Sequence, residues 1–111
     1  MKNIFYFLTF ITCITCLVIS CSKPTEACFT YTPTSATTNT NVTFNASCSD
    51  NASYFSWNFG DNTSDTTNTS MTITHKFSST GQYIVTLIAE RKDGMTLGKD
   101  KPKATQTITV Q

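Results

Sequence analysis

What most constrains the fold of this chain is a rhythm of short alternating runs. Cys28-Phe29-Thr30-Tyr31-Thr32 is closed by Pro33, and the polar stretch Thr34 to Asn41 follows. Val42 to Cys48 alternates cleanly, and Ser49-Asp50-Asn51 turns the chain into Tyr54-Phe55-Ser56-Trp57-Asn58-Phe59. Gly60-Asp61-Asn62 breaks that run, residues 62–70 read as a polar loop, and Met71 to Phe77 reads as the next strand. After the turn Ser78-Ser79-Thr80-Gly81 comes the longest run, Gln82 to Arg91. Asp93-Gly94 is a hairpin-type turn, and Ala104 to Val110 is the last strand. No helical period and no internal repeat is visible. Period-two runs bounded by turn residues are half-buried strands, so the chain is expected to be all-β, six or seven strands in a two-sheet antiparallel sandwich. The inward set is Phe29, Val42, Phe44, Phe55, Trp57, Phe59, Phe77, Tyr83, Val85, Leu87, Ile108 and Val110.

Composition removes several function classes. The 111 residues allow one small domain. Charged residues are 14% of the chain and the formal net charge is +1, which lacks the basic face that nucleic acid requires. A single histidine excludes a multi-histidine metal site. No cofactor is implied.

The N-terminus reads as an address. Lys2 is followed by the uncharged, mostly apolar stretch Ile4 to Ile19, the layout of a secretory signal peptide. As a helix those sixteen residues span only about 24 Å, short of the roughly 30 Å hydrocarbon core, and Thr9, Thr12 and Thr15 weaken a transmembrane reading further. Val18-Ile19-Ser20-Cys21 resembles the lipobox of bacterial lipoproteins. That resemblance implies cleavage after residue 20 and acylation of Cys21, with partition to the membrane through its lipid. Ser22 stands where an aspartate would retain many Gram-negative lipoproteins at the inner membrane, so the outer membrane of the cell envelope is favoured, with the domain facing either the periplasm or the surface. The expected organisation is a signal peptide over 1–20, a lipidated tether over 21–26 and a domain over 27–111. Without residues 1–20, seven basic residues balance seven acidic ones, and electrostatic attachment to anionic surfaces is not expected.

Cysteine arithmetic agrees. Of Cys13, Cys16, Cys21, Cys28 and Cys48, the first two leave with the signal peptide and the third takes lipid. Cys28 and Cys48 remain, an even number in an oxidising compartment. A bridge between them would close a loop of about 21 residues and add roughly 3 kcal/mol. Strand parity opposes it: Cys28 points away from Phe29 and Tyr31, whereas Cys48 shares the parity of Val42 and Phe44. A bend at either strand end would reconcile the two.

Two separated motifs carry a family resemblance. Trp57-Asn58-Phe59-Gly60-Asp61 resembles the Trp-Asp-Phe-Gly-Asp signature of the polycystic kidney disease (PKD) domain. His75-Lys76-Phe77 followed by Gly81-Gln82-Tyr83-Ile84-Val85-Thr86-Leu87 resembles that family's His-x-aromatic and Gly-x-Tyr-x-Val-x-Leu segments. Val42-Thr43-Phe44 and Thr107-Ile108-Thr109-Val110 also fit, so the resemblance covers residues 27–111 and implies an immunoglobulin-like sandwich. The motif residues read as structural. Trp57 is a core anchor whose indole N–H needs a partner, Gly60 permits a close approach, Asp61 accepts N–H groups in its turn, and Gly81 leads into the long strand. His75 reads as a packed, hydrogen-bonded residue. Asn58 replaces the family's first aspartate, which weakens any case for calcium, and Asn62 replaces a glycine but tolerates positive φ.

No nucleophile–base pair, paired catalytic carboxylate or phosphate loop is visible, so the chain is not expected to be an enzyme. Alternation leaves Tyr54, Ser56, Asn58, Ile84, Thr86, Ile88, Thr105, Thr107 and Thr109 facing outward, and the PKD resemblance places their three strands in one sheet. Tyr54, Ile84 and Ile88 among hydroxyls suit a sugar ring or a protein partner; the alternative is an ordinary solvated face. The charged stretch Glu90 to Lys103 offers a second contact surface, or simply a solvated loop. Asp65-Thr66-Thr67 resembles a bacterial O-glycosylation sequon at Thr66. The functional expectation is a lipid-anchored envelope protein whose domain is a non-catalytic binding or adhesion module for glycan or protein. The alternative is a structural spacer or assembly component without a ligand of its own.

Overall fold

The computed structural model describes residues 23–63, 66–92 and 101–111. Among these residues, seven strands form two antiparallel sheets. One has the order β1-β2-β5, from Thr30–Thr32, Asn41–Asn45 and Thr72–Lys76. The other has the order β4-β3-β6-β7, from Thr66–Asn68, Tyr54–Asn58, Gly81–Glu90 and Lys103–Val110. The chain is an all-β two-sheet sandwich, as the period-two runs require. The strand at Thr66–Asn68 lies where the sequence reads as a loop. It is three polar residues held by pairing to Phe55, Ser56 and Trp57 on β3, and it lacks the apolar alternation that marks a strand. The expected signal peptide, Cys21, Asp65, the expected Asp93-Gly94 turn and the rest of the charged stretch over residues 93–100 lie outside the described residues.

Alternation dictates the core. Phe55 and Trp57 on β3, Val85, Leu87 and Ala89 on β6, and Ile108 and Val110 on β7 turn inward from one sheet. Val42 and Phe44 on β2 meet them from the other, with Phe29 and Phe77 from flanking segments. Every expected inward residue is buried except Tyr83, which is half-buried over Phe77 with ring centroids 4.5 Å apart and donates its hydroxyl to Ser79 O at 2.9 Å. Ala36, Ala46 and Ala89 complete the core; small side chains carry little pattern signal, so the alternation does not flag them. Trp57 touches Phe29 edge-on at 5.2 Å and Phe44 at 5.7 Å. Its indole Nε1, expected to need a partner, is buried without one among the described residues.

The two sheets are also tied at their seams. Gln106 Nε2 on β7 donates to Phe29 O at 2.5 Å. At the end of β7, Val110 bridges Ala36 in parallel, with Gln111 N donating to Ala36 O at 2.9 Å and Thr38 N to Gln111 O at 3.1 Å. These bonds cap one end of an otherwise open edge strand.

Candidate functional site

The sheet register arranges the outer face of β4-β3-β6-β7 row by row. Tyr54 lies opposite Glu90, whose Oε1 accepts from Lys101 Nζ at 2.6 Å. The next row is Thr67, Ser56, Ile88 and Lys103, with Ser56 Oγ and Thr67 Oγ1 hydrogen-bonded at 2.8 Å. Asn58, Thr86 and Thr105 form the third row, and Ile84 with Thr107 the fourth. Thr105, Thr107 and Thr109 are exposed, whereas Ser56 and Thr86 are half-buried. Tyr54 is 37% exposed and Ile84 62%, but Ile88 is half-buried. Tyr54 and Ile88 are diagonal neighbours across β3 and β6, within about 8 Å. Ile84 stands four residues further along β6, about 13 Å away with Thr86 between. The expected trio therefore shares one face, as one close pair and one separate apolar point in a field of hydroxyls.

The motif residues gather at the opposite end of β3 from Tyr54. Asn58 Oδ1 accepts from Gly60 N at 2.9 Å, so the amide supplies the acceptor a carboxylate would supply in that turn. Gly60 has φ +72°, and a Cβ there would sit 2.6 Å from Ile84 O of β6. Asn62 adopts φ 63° where the family pattern has glycine. Asp61 Oδ1 accepts from Thr63 Oγ1 at 2.6 Å and Thr63 N at 3.2 Å, while Oδ2 lies 2.7 Å from His75 Nε2 on β5. Burial pushes the Asp61 carboxyl pKa up, but the hydrogen bonds from Thr63 and His75 outweigh it, leaving the group below its ordinary value. The His75 ring lies flat on Phe59 at 3.9 Å and edge-on to Phe77 at 4.9 Å. Asp61 belongs to the β3 sheet's loop and His75 to the other sheet, so the pair clamps the sandwich at this end. Thr63 is the member sequence reasoning missed; the Asp-x-Thr spacing of an Asx turn is its only signal. Gly81, with φ +153°, precedes Tyr83 as the motif requires, and a Cβ there would meet only the Tyr83 ring at 3.8 Å.

A third group of residues binds the N-terminal segment. Cys28 and Cys48 form a disulfide with Cα atoms 5.3 Å apart. The parity conflict disappears because Cys28 precedes β1 and Cys48 follows β2, so neither obeys strand alternation. Ser49 Oγ donates to Cys28 O at 2.7 Å and accepts from Cys28 N at 3.0 Å. Glu26 and Asp50 exchange both backbone hydrogen bonds, at 3.1 and 3.0 Å. Asn51, at φ 53°, donates its Nδ2 to Lys23 O at 2.6 Å, and Asn51 O accepts from Thr25 Oγ1 at 3.2 Å. Lys23 pairs with Asp50, which raises the lysine pKa. Residues 23–26, expected as a tether, thus run bonded along the 48–51 turn. Among the described residues no group of three His, Cys, Asp or Glu side chains is placed to hold a metal.

A two-sheet antiparallel sandwich with the Trp57–Asp61 turn clamped to His75 defines an immunoglobulin-like β-sandwich module. The PKD domain family matches residues 27–99, and this chain belongs to that family. Solved structures agree. One, described as the structural basis for the promiscuous specificity of carbohydrate-binding modules from the β-sandwich superfamily, is similar at 35% identity with a TM-score of 0.69. The match covers 80% of this chain and 35% of that one, so this chain spans about a third of its length. The PKD1 domain of the Vibrio cholerae metalloprotease PrtV is similar at 25% identity and TM-score 0.59, covering 80% of this chain and 99% of that one. The PKD domain of the human VPS10 domain-containing receptor SorCS2, at 17% identity and TM-score 0.56 over 88% of this chain and 85% of that one, shares the fold. No curated protein matches.

Proposed function

We propose that this protein is a cell-envelope lipoprotein, acylated at Cys21, whose PKD domain is a non-catalytic binding or adhesion module for glycan or protein. The carrying observation is the outer face of the β4-β3-β6-β7 sheet. There the register sets Tyr54 beside Ile88, with Ile84 further along β6, among Ser56, Thr67, Thr86, Thr105 and Thr107. An aromatic ring offers a flat apolar surface to a sugar or a side chain, and surrounding hydroxyls supply donors and acceptors. The likeness to a structure described by its carbohydrate-binding modules supports glycan as the first ligand class to test. The lipobox-like Val18 to Cys21 supports an envelope location, and Ser22 in place of an aspartate favours the outer membrane.

The test is to present the mature chain from residue 22, with Cys28 and Cys48 kept, to an array of polysaccharides and envelope or host proteins. Specific binding is expected, reduced at least tenfold by the triple variant Tyr54→Ala, Ile84→Thr, Ile88→Thr. A folded triple variant that keeps full binding removes this face from the proposal. A folded wild-type domain that binds nothing favours the structural-spacer reading. For the anchor, Cys21→Ala is expected to move the protein from the membrane fraction to the soluble one; continued membrane attachment would overturn lipidation.

A further inference from the structure

Glu26 and Asp50 are joined main chain to main chain, Asn51 holds Lys23 O, Lys23 pairs with Asp50, and the Cys28–Cys48 disulfide closes the base of the same strap. Only Ser22 therefore separates this bonded strap from residue 21 in the sequence. Two extended residues reach about 7 Å. A lipid on Cys21 would consequently hold one particular end of the sandwich at the bilayer, and the sheet register says which end. It is the end of the 48–53 turn, where β3 begins at Tyr54, β6 finishes at Glu90 and β7 begins at Lys103.

Charge is distributed along the same axis. Among the described residues, Lys23, Arg91, Lys92, Lys101 and Lys103 lie toward this end, with only Glu26, Asp50 and Glu90 against them; Asp61 and Lys76 lie toward the other. Lys23 and Lys101 are ion-paired with Asp50 and Glu90, and Asp93, Lys99 and Asp100 adjoin this end in sequence, so its net charge is small and the short connection to residue 21, not net charge, is what brings it to the bilayer. An open groove lined by Asn51, Ser53, Arg91 and Lys92 also sits here. The Ser53 hydroxyl and the Lys92 ammonium are donors of the kind that phosphate oxygens accept.

We infer that the end of the sandwich bearing Lys23, Asn51, Ser53, Arg91 and Lys92 rests on the phospholipid headgroup layer. The strap orients the domain there, and the Tyr54–Ile84 face extends outward from the membrane along β6. This rests on the acylation of Cys21 proposed above, and it adds the orientation that anchoring alone does not give. It also orders the binding face, with Tyr54 and Ile88 nearer the membrane and Ile84 farther out.

The experiment uses the full chain, purified with its lipid and reconstituted into phosphatidylethanolamine–phosphatidylglycerol vesicles carrying a headgroup-located quencher. A fluorophore is placed at Ser53→Cys in one sample and at Thr80→Cys in another. These positions flank opposite ends of β6, about 30 Å apart. Quenching at position 53 is expected to exceed that at 80 by at least threefold. Ten Gly/Ser residues inserted between Ser22 and Lys23 add roughly 17 Å of reach and should bring the ratio toward one. Equal or reversed quenching in the native chain overturns the orientation, and a ratio unmoved by the spacer overturns the strap as its cause. Mass analysis of the N-terminal peptide separates the two readings. A chain with no acyl group at Cys21 overturns the anchor and the orientation together, whereas an acylated chain with equal quenching overturns the orientation alone.

Discussion

At the scale of single residues, the Trp57–Asp61 motif is a device for joining two sheets. Gly60 lets the chain pass so close to β6 that any Cβ would meet the carbonyl of Ile84 at 2.6 Å, and its φ of +72° is costly for other residues. Gly60→Ala is therefore expected to cost about 2–3 kcal/mol, from positive φ and a backbone clash together, read as a lower denaturant midpoint. An unchanged midpoint would mean that the turn relaxes freely. Asp61 makes a second, pH-dependent contribution. Its folded-state pKa lies below the ordinary carboxylate value, so the native state favours the charged form more than the unfolded chain does. The stabilisation is present above the unfolded pKa, near 4, and is lost as pH falls through the folded value. Asp61→Asn should destabilise by about 1–3 kcal/mol at neutral pH. The gap between wild type and variant should narrow below about pH 4. A gap of constant size across that range would show that the charge does not matter. The motif letters alone reveal Gly60 and Asp61 as turn residues. They do not reveal that Asp61 reaches His75, because the two lie on different sheets and only the assembled sandwich brings them within 2.7 Å.

At the scale of elements, legibility follows side-chain size. β2, β3, β6 and β7 alternate large apolar residues with polar ones, and their bounds differ from the sequence reading mostly by residues at the ends. β4 escaped because Thr66, Thr67 and Asn68 carry no apolar signal and are strand only by pairing with β3. The outward positions of Tyr54, Ile84 and Ile88 were legible by parity, but their spacing was not, since it depends on the cross-strand register. The strap over residues 23–28 was hidden for the same reason as the disulfide geometry. Its partners Asp50 and Asn51 read as an ordinary turn, and nothing in their sequence says what the turn faces. The bridge between Cys28 and Cys48 spans 20 positions and shortens the unfolded ensemble accordingly. Replacing both cysteines by serine should cost about 3 kcal/mol by loop entropy, measured by urea unfolding of the oxidised wild type against the double variant. A difference below about 1 kcal/mol would instead mean that Glu26, Ser49 and Asn51 hold the segment without it.

At the scale of the whole molecule, the two sheets share one core and do not act as separate units. Phe29 and Phe44 from one side meet Trp57 from the other, Phe59 continues the ring contacts from Phe44 to His75, and His75 continues them to Phe77. Gln106 to Phe29 and Ala36 to Val110 and Gln111 close the seams. Each sheet carries an apolar face that only the other sheet covers. Loss of either should expose Trp57 and release the other. Unfolding is therefore expected to be a single cooperative transition. The chain has one tryptophan, and it is fully buried at the sheet–sheet contact, so its fluorescence reports opening of the interface, while far-ultraviolet circular dichroism reports the strands themselves. The two probes should give coincident urea curves for the oxidised domain. A fluorescence transition that precedes the loss of strand signal would show that the sheets part before they melt, and the shared core would not be what makes this sandwich cooperative.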